Sequence, residues 1–231
     1  MMDPHPTDLV GRALARIVAA TPTADVVDIG GGSGTRAVPL ALAGCRVVVV
    51  DASTDALASL ARRADEAGVS DRITALQADA DQLDAVLPPA SADLVLYHHV
   101  VQDVDDPERS LAAAAAVLRV GGHLSVLVPG RLSAVLGEAL GGRYASALAM
   151  LAAGPGDDRR YDVPSLRALM ERAGVVVESV RGVGVVAALS GSRARPGDEP
   201  EIAELEERLG AHPVLGQIAG DLHGVGLSPA R

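Results

Sequence analysis

A chain of 231 residues that is 48% hydrophobic can bury the core of one large domain, and its single Cys excludes an intrachain disulfide. A net charge of −10, with no Lys at all and Arg as the only strong base, speaks against a general nucleic-acid surface, which works by neutralising phosphates, and leaves room only for a local Arg patch. With no Phe, no Trp and Tyr only at Tyr97, Tyr144 and Tyr161, a site that stacks several bases on rings is all but excluded.

Residues 7–20 carry Leu9, Val10, Ala13, Leu14, Ile17 and Val18 at helical spacing, and Thr21-Pro22 ends that helix. Apolar β-type runs then alternate with helical patterns. Strands are predicted at 25–29, 46–51, 73–77, 92–97 and 122–129, and helices at 34–43, 54–67 and 107–119. Near-continuous apolar strands are what a parallel sheet covered on both faces requires, so the fold class is α/β, a doubly wound, Rossmann-like sheet of about seven strands with helices on both faces. After Pro129 come one or two Ala/Leu-rich helices over 131–153, a polar loop at 153–160 and a helix at 163–174. A strand pair is expected within 175–189, joined around Gly182, which makes the late sheet edge antiparallel. A loop at 190–200, a helix at 201–210 and a Gly-rich tail complete a single domain. No apolar run reaches the roughly 18 residues of a membrane span, and "MMDPHPTDLVGR" has no basic start and apolar core of a secretory signal, so no membrane partner and a cytoplasmic location are expected.

The chemistry concentrates in "VVDIGGGSGTRAVPLALAGCRVVVVDAS" (26–53), where Gly30, Gly31, Gly32 and Gly34 follow a strand and precede a helix. Missing Cβ atoms permit a sharp turn and close approach of a ligand to the helix N-terminus. Asp51, at the end of the second strand, is placed to accept the two hydroxyls of a ribose. A phosphate loop of the GxxxxGK[ST] type is impossible without Lys. A dinucleotide loop wants a third glycine where Thr35 stands. That leaves a nucleoside without phosphate, beside whose cationic tail Asp28 would be at home; there it would repel a pyrophosphate. Pro39 calls for a late or irregular helix start after Gly34.

These residues resemble the first motif of class I S-adenosylmethionine (SAM)-dependent methyltransferases, and the order continues through "VVVVDAS", "LQADADQL", "ADLVLYHHVVQDVDDP" and "VLRVGGHLSVLVP". The resemblance covers about residues 25–130 and is specific as a set. It implies binding of SAM, with S-adenosylhomocysteine as product, by Asp28, Gly30, Gly31, Gly32, Asp51, Ala52, Asp79, Ala80 and His98, with Asp79 and Ala80 beside the adenine. It divides the chain into an N-terminal helix or lid (1–24), a SAM-binding core (25–130) and a substrate-capping part (131–231) holding helices, the late strand pair and the tail. "GVSDRI", "LVLYHHVVQDVDDPERSL", "ELEERLGAHP" and "DLHGV" resemble bacterial tRNA 5-carboxymethoxyuridine methyltransferases more closely. The chain departs from that subfamily where tRNA would sit: Gly220 and Asp221 replace an expected Arg-Tyr pair, and Arg12 and Arg16 are the stand-ins for an absent lid Arg. A small-molecule acceptor is therefore favoured, with a tRNA wobble uridine as one alternative and a SAM-binding protein without turnover as another. With no "PPY"-type motif and no Cys placed as a nucleophile, DNA is not expected as a substrate.

Methyl transfer from a sulfonium is mostly positioning, and a base is needed only if the acceptor has a proton to lose. His98 and His99 are the candidate catalytic groups; in the resembling family the residue at His98 is more often a wall of the donor pocket, and one of the two is expected to turn into a core contact. Asp106-Pro107 reads as an N-cap followed by a first-turn Pro. Asp103, Asp105 and Asp106 are close in sequence, yet no metal is expected. Cys45 reads as a buried small apolar residue. Arg131, Arg143, Tyr144, Arg159, Arg160 and Tyr161 are the polar groups over the site, and Arg159-Arg160-Tyr161 could grip an acidic substrate.

Overall fold

The computed structural model describes residues 8–21, 23–154, 159–190 and 197–230. In chain order the elements are α1 (Leu9–Ala19), β1 (Asp25–Ile29), α2 (Ala37–Leu42), β2 (Arg46–Asp51), α3 (Thr54–Glu66), β3 (Ile73–Gln77), α4 (Leu83–Val86), β4 (Ala92–His98), α5 (Pro107–Ala116), β5 (Leu118–Pro129), α6 (Arg131–Leu140), α7 (Tyr144–Ala152), α8 (Val163–Arg172), β6 (Val176–Val183), α9 (Val185–Ser190), α10 (Glu199–Ala211) and β7 (Asp221–Leu227).

Local chemistry sets most of the helix starts. Asp8, Ser53, Asp106 and Asp162 each place a side-chain oxygen on first-turn N–H groups of α1, α3, α5 and α8. Asp162 and Ser165 form a reciprocal capping box. Helix α2 starts late, at Ala37, so Pro39 is its third residue, where a helix has no use for the missing N–H.

The strands form one sheet in the order β3-β2-β1-β4-β5-β7-β6. β1, β2, β3, β4 and β5 run parallel, and β7 lies antiparallel between β5 and β6. Successive residues of a strand face opposite sides, so each strand feeds two cores. Val27, Ile29, Val95, Tyr97 and Val126 pack with Leu111, Leu166 and Met170 on the α5 and α8 side. Val26, Val49, Leu94, Leu96 and Leu127 pack with Val10, Leu14, Leu40 and Leu60 on the α1, α2 and α3 side. Burial on both faces explains why β1, β2 and β4 read as unbroken apolar runs. Cys45 is buried with the second group.

The expected strand pair inside 175–189 is corrected. Only Val176–Val183 is a strand, and Gly184 at φ +75° ends it. Val185–Ser190 is helical, and Glu206 of α10 caps it, its carboxylate accepting from the N–H groups of Val185, Val186 and Ala187. The antiparallel partner of β6 is β7, within the Gly-rich tail. Helix 107–119 is likewise shorter than expected, since β5 begins at Leu118.

Candidate functional site

The carboxyl ends of β1 and β4 are where the chain's winding reverses, the position at which open α/β sheets hold ligands. Here Gly30, Gly31 and Gly32 wrap above β1. Gly30 has φ +66° and its N–H donates to Val50 O at 2.7 Å. A Cβ on Gly31 would lie 2.6 Å from the Asp28 carboxylate and 2.9 Å from Val49, so only glycine lets the backbone pass this close. Beside the loop is a cleft of about 250 Å³ lined by Gly30, Asp51, Ala52, Asp79, Ala80 and His99, with Val100, Asp103 and Val104 completing its wall.

Asp51 is held at the rim from two sides: Gly32 N donates to its Oδ2 at 2.8 Å and Ser53 N to its Oδ1 at 2.9 Å. Asp79 caps the 3-10 turn that carries Ala80. Ala80 is anchored in turn, because Ser110 Oγ donates to its carbonyl at 2.6 Å and the buried Tyr97 hydroxyl donates to Ser110 at 2.7 Å. Burial pushes the Tyr97 hydroxyl pKa up, so it stays a donor.

Asp28 and His98 do not line this cleft. Both lie on the α1 and α2 side of the sheet, Asp28 buried and His98 partly so, and each keeps one buried atom, Asp28 Oδ2 and His98 Nδ1, without a hydrogen-bond partner. His98 Nε2 meets Ser125 Oγ at 2.9 Å, and the same oxygen meets His223 Nε2 at 2.8 Å. One hydroxyl has one proton, so one imidazole donates to Ser125 and the other accepts from it. Burial raises the Asp28 pKa to about 7, an effect that Arg36 opposes and Asp51 reinforces. Burial lowers His223 to about 4 and His98 well below its ordinary 6.5.

These shifts oppose each other in stability. Asp28 binds its proton more tightly when folded, so its contribution is full below pH 3.8 and is lost as pH rises towards 7. Folding expels protons from His223 and His98, so their contribution grows as pH rises from about 4 to 6.5. Asp28→Asn removes only the first effect. Its stability is expected to climb more steeply than the parent's between pH 4 and 6.5 and to exceed it at pH 8. Urea unfolding across that range checks this, and equal slopes would refute it.

His99 does face the cleft. Its backbone is left-handed, φ +55°, its N–H donates to Leu127 O at 2.8 Å, and its Nε2 lies 3.7 Å from Asp221 Oδ2. Burial raises the Asp221 pKa, and His99 opposes that rise.

The polar groups expected to grip a substrate are largely engaged in structure. Arg131 donates to the carbonyls of Met150, Leu151 and Ala153 at the end of α7. Arg143 pairs with Glu138. Arg159 holds the loop after β4 by donating to Val101 O and Val104 O. Tyr161 is buried and bridges Gly130, whereas Tyr144 is exposed. Arg12, one stand-in for a lid Arg, pairs with Glu207, and Arg16 lies 3.8 Å from the same carboxylate. Asp106 is the N-cap of α5, as its spacing indicated.

The expected residues thus separate into two groups. Gly30, Asp51, Ala52, Asp79, Ala80 and His99 share the cleft, and Gly32 is tied to it through Asp51. Asp28 and His98 share the buried polar layer, with Gly31 packed on Asp28. Sequence reasoning missed His223 and Ser125 and the partnership of Asp221 with His99. The only signal was two polar residues, Asp221 and His223, alternating in a short run of the tail. No group of three or more His, Cys, Asp or Glu that could hold a metal is found among the described residues, and no described helix is long and apolar enough to cross a membrane.

Comparison with known proteins gives a consistent picture. Residues 27–126 match the family model described as "Methyltransferase domain". A ubiquinone biosynthesis O-methyltransferase of Cupriavidus pinatubonensis is 34% identical over 160 residues, covering 68% of this chain and 62% of that protein. One of the same name from Burkholderia pseudomallei is 30% identical, over 71% of this chain and 70% of its own. The tRNA 5-carboxymethoxyuridine methyltransferase of Escherichia coli is 34% identical over 102 residues, 44% of this chain and 39% of that protein. The chain therefore spans less than two thirds of the Cupriavidus and Escherichia coli relatives. Among solved structures, phosphoethanolamine N-methyltransferase 2 of Haemonchus contortus in complex with S-adenosyl-L-methionine superposes with TM-score 0.61 at 17% identity, covering 94% of this chain and 51% of that one.

Proposed function

Because this chain belongs to the class I SAM-dependent methyltransferases, we propose that it transfers a methyl group from SAM to a small-molecule acceptor and releases S-adenosylhomocysteine. The observation that carries the reading is one sheet edge that combines a glycine loop, a carboxylate fixed at the rim of a cleft, and two buried polar atoms without partners. These residues fit SAM. Asp51 offers its remaining lone pairs to two ribose hydroxyls, and Ala52, Asp79 and Ala80 wall an adenine. Asp28 Oδ2 and His98 Nδ1 supply the polarity that a charged amino-acid end needs. No phosphate-binding Lys exists in the chain, and none is required.

When bound, SAM supplies an activated methyl on a good leaving group. The protein then holds the acceptor in line and excludes water. His99, at the cleft wall, takes the proton of an acceptor hydroxyl, and Asp221 orients its ring. Residues 25–130 hold the donor, 131–231 cap the acceptor and the N-terminal segment 1–24, of which 1–7 and 22 lie outside the described residues, acts as a lid. The work is cytoplasmic, where Cys45 remains a thiol.

A small molecule is favoured over tRNA by the charge of −10, the missing aromatic platforms, and capping arginines already engaged with backbone carbonyls. The tRNA reading has in its support the 34% identity to the Escherichia coli enzyme. Incubation with methyl-tritiated SAM, a phenol and carboxylic-acid library and bulk tRNA separates them. Label in small molecules supports the reading, and RNase-sensitive label supports tRNA. S-adenosylhomocysteine binding with label in neither supports binding without turnover.

A further inference from the structure

A second cleft, of about 230 Å³, lies between α1, α10 and the strands β6 and β7. It has room for roughly eight water-sized groups. Leu9, Ala13 and Ile17, at helical spacing on α1, form one wall, and Val225 and Val183 form part of the sheet floor. His223 also reaches the floor, where its ring is buried and held by Ser125.

The charges around it are unbalanced. Glu207 of α10 faces three guanidinium groups, being paired with Arg12, 3.8 Å from Arg16 and 3.5 Å from Arg181. One carboxylate against three arginines leaves a local excess of two positive charges in a chain whose net charge is −10. The neighbouring acid Asp8 does not correct this, because it is paired with Arg36. Arg12 Nε is buried without a hydrogen-bond partner, and the Arg16 and Arg181 side chains are 67% and 51% exposed at the rim. Both of these lie within 4 Å of the same Glu207 oxygen, so one further carboxylate can reach both guanidinium groups. An apolar slot closed at one end by cationic forks suits a ligand with an apolar body and an acidic head.

We propose that this cleft is a binding site for a small amphiphilic carboxylate, its apolar portion against Leu9, Ala13, Ile17 and Val225 and its head on Arg16 and Arg181. The site is separate in its lining from the cleft at the glycine loop and does not depend on SAM being the ligand there. It communicates with the buried polar layer through His223, Ser125 and His98.

Calorimetric titration of the full chain with octanoate, octan-1-ol and acetate tests it. Octanoate is expected to bind saturably, with octan-1-ol and acetate at least about tenfold weaker, since each lacks one half of the match. Arg181→Gln and Ala13→Leu should each weaken octanoate about tenfold, the first by removing a charged donor and the second by filling the slot. Thermal unfolding of each variant shows whether the fold persists, and the two act through different walls. Asp51→Ala, which lies in the other cleft, should leave octanoate binding unchanged. Octan-1-ol binding as tightly as octanoate, no saturable octanoate binding up to millimolar concentration, or full affinity in both folded variants would overturn the proposal.

Discussion

Asp51→Ala is expected to weaken S-adenosylhomocysteine binding by at least about 100-fold while leaving the fold intact. The carboxylate sits at the end of β2 and is fixed by one backbone N–H on each oxygen, Gly32 on Oδ2 and Ser53 on Oδ1. Its other lone pairs face the cleft. A ribose that donates two hydroxyl hydrogen bonds to this anion gains about 1.5–3 kcal/mol from each. A 100-fold loss corresponds to about 2.7 kcal/mol, less than the sum of two such bonds and so a conservative figure. Asp51→Asn should fall between alanine and the parent, because an amide has only one acceptor oxygen and would turn its NH₂ against the N–H of Gly32 or Ser53. Calorimetry with S-adenosylhomocysteine measures the effect, and thermal unfolding shows whether the chain remains folded. An alanine variant that binds within threefold of the parent would remove Asp51 from the site.

That prediction rests on residues that could be read directly, because each sits in a short recognisable pattern. The glycines follow β1, the acid ends β2 and the Asp106 cap precedes Pro107, although the bond from Gly32 to Asp51 spans nineteen positions. The parallel strands were legible for a related reason. Burial on both faces leaves no polar alternation in β1 and β4, which lie where the apolar runs place them, whereas β5 starts four residues before its run. The misread region, 175–189 and the tail, depends on long-range contacts. The run "VVAAL" has strand-forming Val residues, yet Glu206, some twenty positions further on, caps it as a helix. β7 was hidden by its glycines. A Cβ on Gly224 would come 2.5 Å from Met170 Sδ, and one on Gly226 would come 2.9 Å from Val175, so α8 and Val175, just beyond its end, pack too closely for a side chain. The antiparallel edge was anticipated from the run 175–189, but its second strand comes from the tail. Moving that strand is what brings Asp221 to His99 and His223 to Ser125, and it explains why neither partnership was visible in the sequence.

The geometry at Asp221 leads to the second large effect. His99→Asn is expected to lower kcat by about 10² to 10⁴ for an acceptor methylated on an ionisable hydroxyl, the range for loss of a general base. Asparagine is the informative replacement because His99 holds a left-handed φ of +55°, which Asn tolerates better than most residues. Loss of activity then reports the imidazole and not backbone strain. S-adenosylhomocysteine affinity should change less than tenfold, since His99 is one wall of the cleft and forms no part of the glycine loop. Asp221→Asn is a positioning change. It removes the carboxylate 3.7 Å from Nε2, so the ring is less well oriented and kcat is expected to fall while S-adenosylhomocysteine affinity is kept. A merely structural role for Asp221 would instead show as a lower unfolding temperature and weaker S-adenosylhomocysteine binding. Rate, binding and thermal-unfolding measurements of the parent and both variants distinguish these outcomes. Full activity in His99→Asn would show that the acceptor needs no base and that the transfer rests on positioning alone.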